Sequence, residues 1–262
     1  LGGFLYAVAI WIPFAANSLG FAVAAALLLL IPFKVKQDWN QAMVGEPKER
    51  TSFWQDIKFG VQYLWRDKML TRLVITTASI GFMFNVATST FILYLLDVMH
   101  LPAQYFGLIL AAEGVAAILG SLHAVKFSRR LGRSRTLAIA ITLSVFATAF
   151  AGLVPNLWWF FPLVLIDQYS LAIWNILLMS TYHELIPNHL FGRIHGTRRT
   201  LVWGLMPIGA LIGGAIARID LRAPYIVMLL VGGAIAIFSW RFVSSLPVKD
   251  HSEATKGEAI ND

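Results

Sequence analysis

The chain of 262 residues is 58% hydrophobic and 13% charged, about half the charged share of a soluble domain, which runs near roughly 25%. It cannot bury that much apolar surface inside itself, so a water-soluble domain is excluded and lipid is the implied solvent. The absence of Cys excludes disulfides and thiolate metal sites, and the net charge of +7 raises nucleic acid as a partner, a reading that the placement of the charges rejects below.

The opening, LGGFLYAVAIWIPF, runs straight into apolar residues without the basic start of a signal peptide. A first span is predicted at Pro13–Ile31. A long polar connection follows, and within it TSFWQDIKFGVQYLWRDK places Phe53, Trp54, Ile57, Val61, Leu64 and Trp65 at helical spacing. Ser52 with Gln55 fits a capping box. This segment is expected to be an amphipathic helix lying in the membrane interface; a helix packed on its neighbours is the alternative. Six further apolar runs are predicted as spans, at Leu73–Leu96, Tyr105–Val125, Leu137–Leu153, Leu157–Tyr182, Leu201–Ala217 and Pro224–Phe242. They are predicted to be helices, because lipid offers an open strand no hydrogen-bond partner and the runs lack period-two alternation. The tail from 244 to 262 is polar and is expected to be disordered and cytoplasmic.

Of 21 Lys and Arg residues, 19 fall in segments on one side of these spans. Eight lie between the first two spans, five from Lys126 to Arg135, three at Arg193, Arg198 and Arg199, and three after the last span. Only Arg218 and Arg222 fall on the other side. This asymmetry assigns the basic loops and the C-terminus to the cytoplasm. The charge sits at membrane edges and forms no contiguous basic face, so nucleic acid is not expected as a partner.

IGGAIARIDLRAPY, beginning at Ile212, matches the opening at a fixed offset: Gly213 and Gly214 answer Gly2 and Gly3, and Pro224 and Tyr225 answer Pro13 and Phe14. Repeated halves are common in secondary transporters. If the second copy ends a second half, Leu1 lies in the last turns of a span whose start is absent. ELIPNHLFGRIHGTRRTLVWGLMPIGALIGG (184–214) resembles the tenth-to-eleventh helix region of major facilitator superfamily exporters, in the branch of macrolide efflux proteins and the enterobactin exporter. SFWQDIKFGVQYLWRDKML resembles the segment before that branch's seventh helix, and RRLGRSR (129–135) is similar to the second copy of the superfamily's cytoplasmic Gly-Arg motif. The acid that usually precedes the Arg in that motif's first copy is replaced here by Ser128 or Arg129. The resemblance implies an all-α, polytopic membrane helix bundle of major facilitator type, with about seven transmembrane helices present of an expected twelve. It divides the chain into the end of an N-terminal bundle (1–32), a cytoplasmic linker with the amphipathic helix (33–69), a C-terminal six-helix bundle (70–243) and the tail (244–262). It also implies a missing N-terminal half as partner.

Of the 14 acids, only Glu113 and Asp167 fall well inside spans, roughly 12–15 Å from the outer surface at 1.5 Å per residue. A charged acid there costs about 2.5–3.5 kcal/mol on insertion scales, a cost that persists where the group faces a cavity or relays protons. Both are candidate proton carriers; a purely structural acid is the competing reading. Asn85, Gln168, Tyr169, Trp174 and Asn175 are candidates for a substrate cavity. Glu184, Arg193, Arg198 and Arg199 are candidates for a cytoplasmic gate, in which the arginines pair with Glu184 or another acid. Pro207, Gly209, Gly213 and Gly214 are candidates for close helix packing and bending. Trp158, Trp159, Phe160 and Phe161 are expected to form an interfacial belt. The six His do not converge and no phosphate-binding Gly-rich loop is present, so no metal, cofactor or catalytic residue is expected. The expected activity is proton-coupled efflux of a bulky apolar or amphipathic small molecule (a drug, macrolide or siderophore) across the cell membrane. A membrane-embedded enzyme acting on lipid precursors and a non-transporting scaffold are the alternatives.

Overall fold

The structure, a computed structural model, describes residues 11–30, 53–102 and 105–246. All regular structure among them is helical. In chain order the elements are α1 (Ile12–Leu29), α2 (Phe53–Arg66), α3 (Lys68–Val98), α4 (Phe106–Leu131), α5 (Arg133–Ala151), α6 (Leu157–Leu185), α7 (Phe191–Ala217) and α8 (Ala223–Ser244). Six of them, α3 to α8, are long and apolar enough to cross a membrane, α7 together with the short 3-10 turn Asn188–Leu190 before it. The first predicted span is helical as α1, and its side chains from Asn17 to Leu30 are all exposed. The expectations for Leu1, for the Ser52 cap and for the tail from 247 onward fall outside the described residues.

Local chemistry sets the helix ends. The Asp67 carboxylate caps α3, accepting from the backbone N–H groups of Met69 and Leu70 at 2.8 and 3.1 Å. Asn156 starts α6 by accepting from the Trp159 N–H at 3.3 Å. Gly132, at φ 83°, alone separates α4 from α5; this left-handed turn suits a residue without Cβ. The loop expected over Arg129–Arg135 is therefore a single residue, because the helices continue through the basic side chains. The same holds for α7, expected from Leu201 but helical from Phe191. Hydropathy marks where lipid begins, and the helix begins a few turns earlier.

Lipid tails are as apolar as the side chains, so helix pairing rests on close packing and small residues. A Cβ at Gly209 would lie 2.7 Å from the Phe82 carbonyl oxygen, and one at Gly213 2.1 Å from that of Val86, so these two glycines seat α7 on α3. Gly120 seats α4 on α6 in the same way, against the Tyr169 carbonyl at 2.2 Å. Gly214 faces open space and Pro207 is exposed, so neither joins the contact; α7 runs unbroken through Pro207. α6 is the central member, packed against both α4 and α5, and α8 closes on α5.

α2 packs on the bundle along one face. Gly60 and Leu64 are buried, and Thr197 of α7 lies where a Gly60 Cβ would stand. Its other face carries Lys58, Gln62, Trp65 and Arg66, all exposed. The alternative of a helix packed on its neighbours thus describes one side of α2. The aromatic start of α6 also divides by face. Trp158 and Trp159 are exposed, while Phe160 is buried among Phe91, Tyr94 and the rest of an aromatic cluster.

Candidate functional site

Arginines and lysines gather where α4 meets α5 and where α6 meets α7; this is the basic end of the bundle. α3, α6 and α7 together wall a cavity of about 460 Å³ that runs from this end toward mid-depth. One face of α6 supplies Asp167, Gln168, Leu171, Trp174, Asn175, Leu178 and Tyr182, at the three-, four- and seven-residue spacing of a helical stripe. α3 adds Phe84 and Asn85, and α7 adds Arg198, Trp203 and Met206. Asn85 donates its amide N–H to the Gly81 carbonyl at 2.9 Å, which fixes the side chain and turns its oxygen outward from that bond.

A second cavity of about 270 Å³ lies toward the opposite end, lined by Glu113, Thr148, Phe160 and Tyr225 among others. Asp167 and Gln168 line both cavities. Asp167 is 7% exposed, and the fully buried Ser144 of α5 donates its hydroxyl hydrogen bond to Asp167 Oδ1. The two intramembrane acids predicted from the sequence therefore share one cavity, and Asp167 alone of the pair reaches the other. Tyr94 packs on Tyr225 of that lining with centroids 5.0 Å apart, and the Tyr94 hydroxyl donates to the Ala151 carbonyl at 3.3 Å.

Of the predicted cavity residues, Asn85, Gln168, Trp174 and Asn175 line the larger space. Tyr169 does not. At about 100° per residue it is turned some 200° from Asp167, and it faces α4, where its hydroxyl lies 2.9 Å from His123 Nδ1. Of the residues expected at a cytoplasmic gate, Glu184 has a partner on α5. Arg133, the first residue of α5, donates to Glu184 at the end of α6. The three α7 arginines lie on a helix, each over an aromatic ring: Arg193 over Phe59 at 4.4 Å, Arg198 over Tyr182 at 4.3 Å and Arg199 over Trp203 at 3.7 Å. Beside them His183, Phe191 and His195 stack, with centroids 4.0 and 5.0 Å apart. The sequence reading missed Ser144, Thr148, Tyr182 and Arg133. Ser144 and Thr148 stand four apart, and that spacing was the only signal they gave.

The profile of the major facilitator superfamily matches residues 1–208. The chain belongs to the major facilitator superfamily. It is thus a multi-pass membrane protein from a family of transporters, and membership weighs against the enzyme reading. A relative is the multidrug efflux pump Tap of Mycolicibacterium fortuitum, 26% identical over 193 residues that cover 68% of this chain and 44% of that protein. The chain thus spans less than half the length of this relative. No solved structure matches.

Proposed function

We propose that this superfamily member exports a bulky apolar or amphipathic small molecule from the cytoplasm across the cell membrane, driven by proton entry. Residues 70–243 act as one of two bundles between which the substrate passes, and the basic end faces the cytoplasm. The superfamily supports transport as the class of activity, and the name of the relative from Mycolicibacterium fortuitum supports efflux. One observation carries the coupling. A buried carboxyl, Asp167, lies where a cavity at the basic end meets a cavity toward the opposite face that also holds Glu113. A proton entering from outside reaches Glu113, passes to Asp167, and is released toward the cytoplasm through the larger cavity. Substrate in that cavity contacts the same residue, so loading of one is linked to loading of the other. Ser144 holds the carboxyl in place and gives up its hydrogen bond when the proton state changes.

Export driven by an imposed pH gradient in the full-length protein tests this. Asp167→Asn is expected to abolish gradient-driven export, and Glu113→Gln to slow it by at least tenfold, both at normal expression. Normal proton-driven export in both variants and in the double variant rejects the coupling.

A further inference from the structure

We propose that Arg198 is the recognition point for an oxyanion on the transported molecule, so that the substrates of the larger cavity are amphipathic anions, above all carboxylates with an aromatic or aliphatic body. The inference deepens the transport reading and rests on it for the identity of the cavity.

Arg198 lines the cavity near its basic end. Its guanidinium is partly buried and stacks on the ring of Tyr182, which is itself fully buried. Its Nε is buried without a hydrogen-bond partner. Its Nη2 lies 3.4 Å from His195 Nδ1, a ring that gives no countercharge. No described acid pairs with it: Asp67 caps α3, Glu184 binds Arg133, Asp97 and Asp220 lie at the opposite end, and Glu113 and Asp167 sit deep. Asp167 is fifteen residues from Tyr182 on α6, about 22 Å along the axis.

A guanidinium partly withdrawn from water, with one N–H buried and unpartnered, gains from an anionic partner, because such a group is costly to leave unpaired. Its planar fork of donors matches a carboxylate or phosphate, and stacking on Tyr182 fixes the orientation of that fork before any ligand arrives. Arg199 over Trp203 adds a second positive charge at the same mouth, and Trp203 lines the cavity. Toward mid-depth the wall turns to Trp174, Phe84 and Met206, which suit an apolar body. The cavity thus has a cationic mouth, an apolar middle and a carboxyl floor. A ligand with its anionic group at Arg198 keeps that group some 20 Å from Asp167, whereas a cation placed at the mouth is repelled.

The test uses the full-length protein in lipid nanodiscs with three matched probes: a dansyl-tagged long-chain carboxylic acid, its methyl ester and the corresponding primary amine. Energy transfer from Trp174 and Trp203 to the dansyl group reports binding without any gradient, with protein-free nanodiscs subtracted. The acid is expected to bind at least tenfold more tightly than the ester or the amine. Arg198→Gln should weaken the acid by at least threefold more than the ester, bringing the two within about threefold of each other. Arg198→Lys should restore part of the preference. Equal or better binding of the ester or the amine to the wild-type protein overturns the proposal, and this arm needs no variant. Equal weakening of acid and ester in a folded Arg198→Gln protein overturns it as well. A tenfold preference for the acid in a protein that carries no gradient-driven flux supports Arg198 as an oxyanion site and counts against transport instead.

Discussion

Arg133 and Glu184 differ in how far they are withdrawn from solvent: the guanidinium side chain is 9% exposed and the carboxylate side chain 27%. Removing the carboxylate strands a buried cation, whereas removing the cation leaves a carboxylate that water can reach. Glu184→Ala is therefore expected to cost about 3 kcal/mol and Arg133→Met about 1 kcal/mol or less. Melting curves in detergent check the order, and a larger loss for Arg133→Met refutes it. Glu184 stood out in the sequence as an acid at a span end, but its partner lies 51 residues away and was hidden among other loop arginines. Asp167 was legible for the opposite reason, since an acid alone in an apolar run announces itself. Ser144 was not legible. Several hydroxyls on these helices donate to the carbonyl four residues back, as Thr77, Ser121, Thr136 and Thr181 do. Nothing in its neighbours marks Ser144 as a hydroxyl that reaches across to a side chain on another helix.

Among the helices, the contact of α7 with α3 separates glycines that look alike in sequence. Gly213 meets the Val86 carbonyl where a Cβ would go, and the adjacent Gly214 meets nothing. Gly213→Ala should push the helices apart at a cost of about 1–3 kcal/mol. Gly214→Ala should be neutral or stabilise by up to about 1 kcal/mol through helix propensity. Thermal unfolding of the two single variants compares them directly; equal losses contradict the packing. The existence of every described span was readable, because a run of apolar residues is set by lipid thickness alone. Which side of each helix meets which neighbour was not readable. The turns of π geometry at Tyr94–Val98 and Met228–Gly232 add to this, since each shifts the face of its helix relative to a regular repeat.

For the whole molecule, composition and charge were enough for the class of fold, and the family profile agrees with it. The arrangement of the helices around two cavities was not legible in the sequence, because contacts between distant spans leave no periodic trace. The proposed orientation rests on where the bundle puts its cations: Arg129, Arg130 and Arg135 share one end with Arg193 and Arg241, and Arg218 and Arg222 lie at the other. Single cysteines at the exposed positions Arg130 and Tyr105 should react with an impermeant maleimide from opposite faces, Tyr105→Cys in intact cells and Arg130→Cys after permeabilisation. Labelling of both from the same face contradicts the topology.

Gly132 has a mechanical meaning as well. A joint of one residue between α4 and α5 has no slack, so neither helix can tilt or slide without dragging the other's end. Both helices rest on α6 more than on each other. They are the two arms of an elbow at Gly132, and both lie along α6. The first arm carries Glu113, the second carries Ser144, and α6 carries Asp167. Asp167 is bonded to the second arm through Ser144, and Arg133 and Glu184 tie the start of that same arm to the end of α6, so α5 is fastened to α6 at two depths.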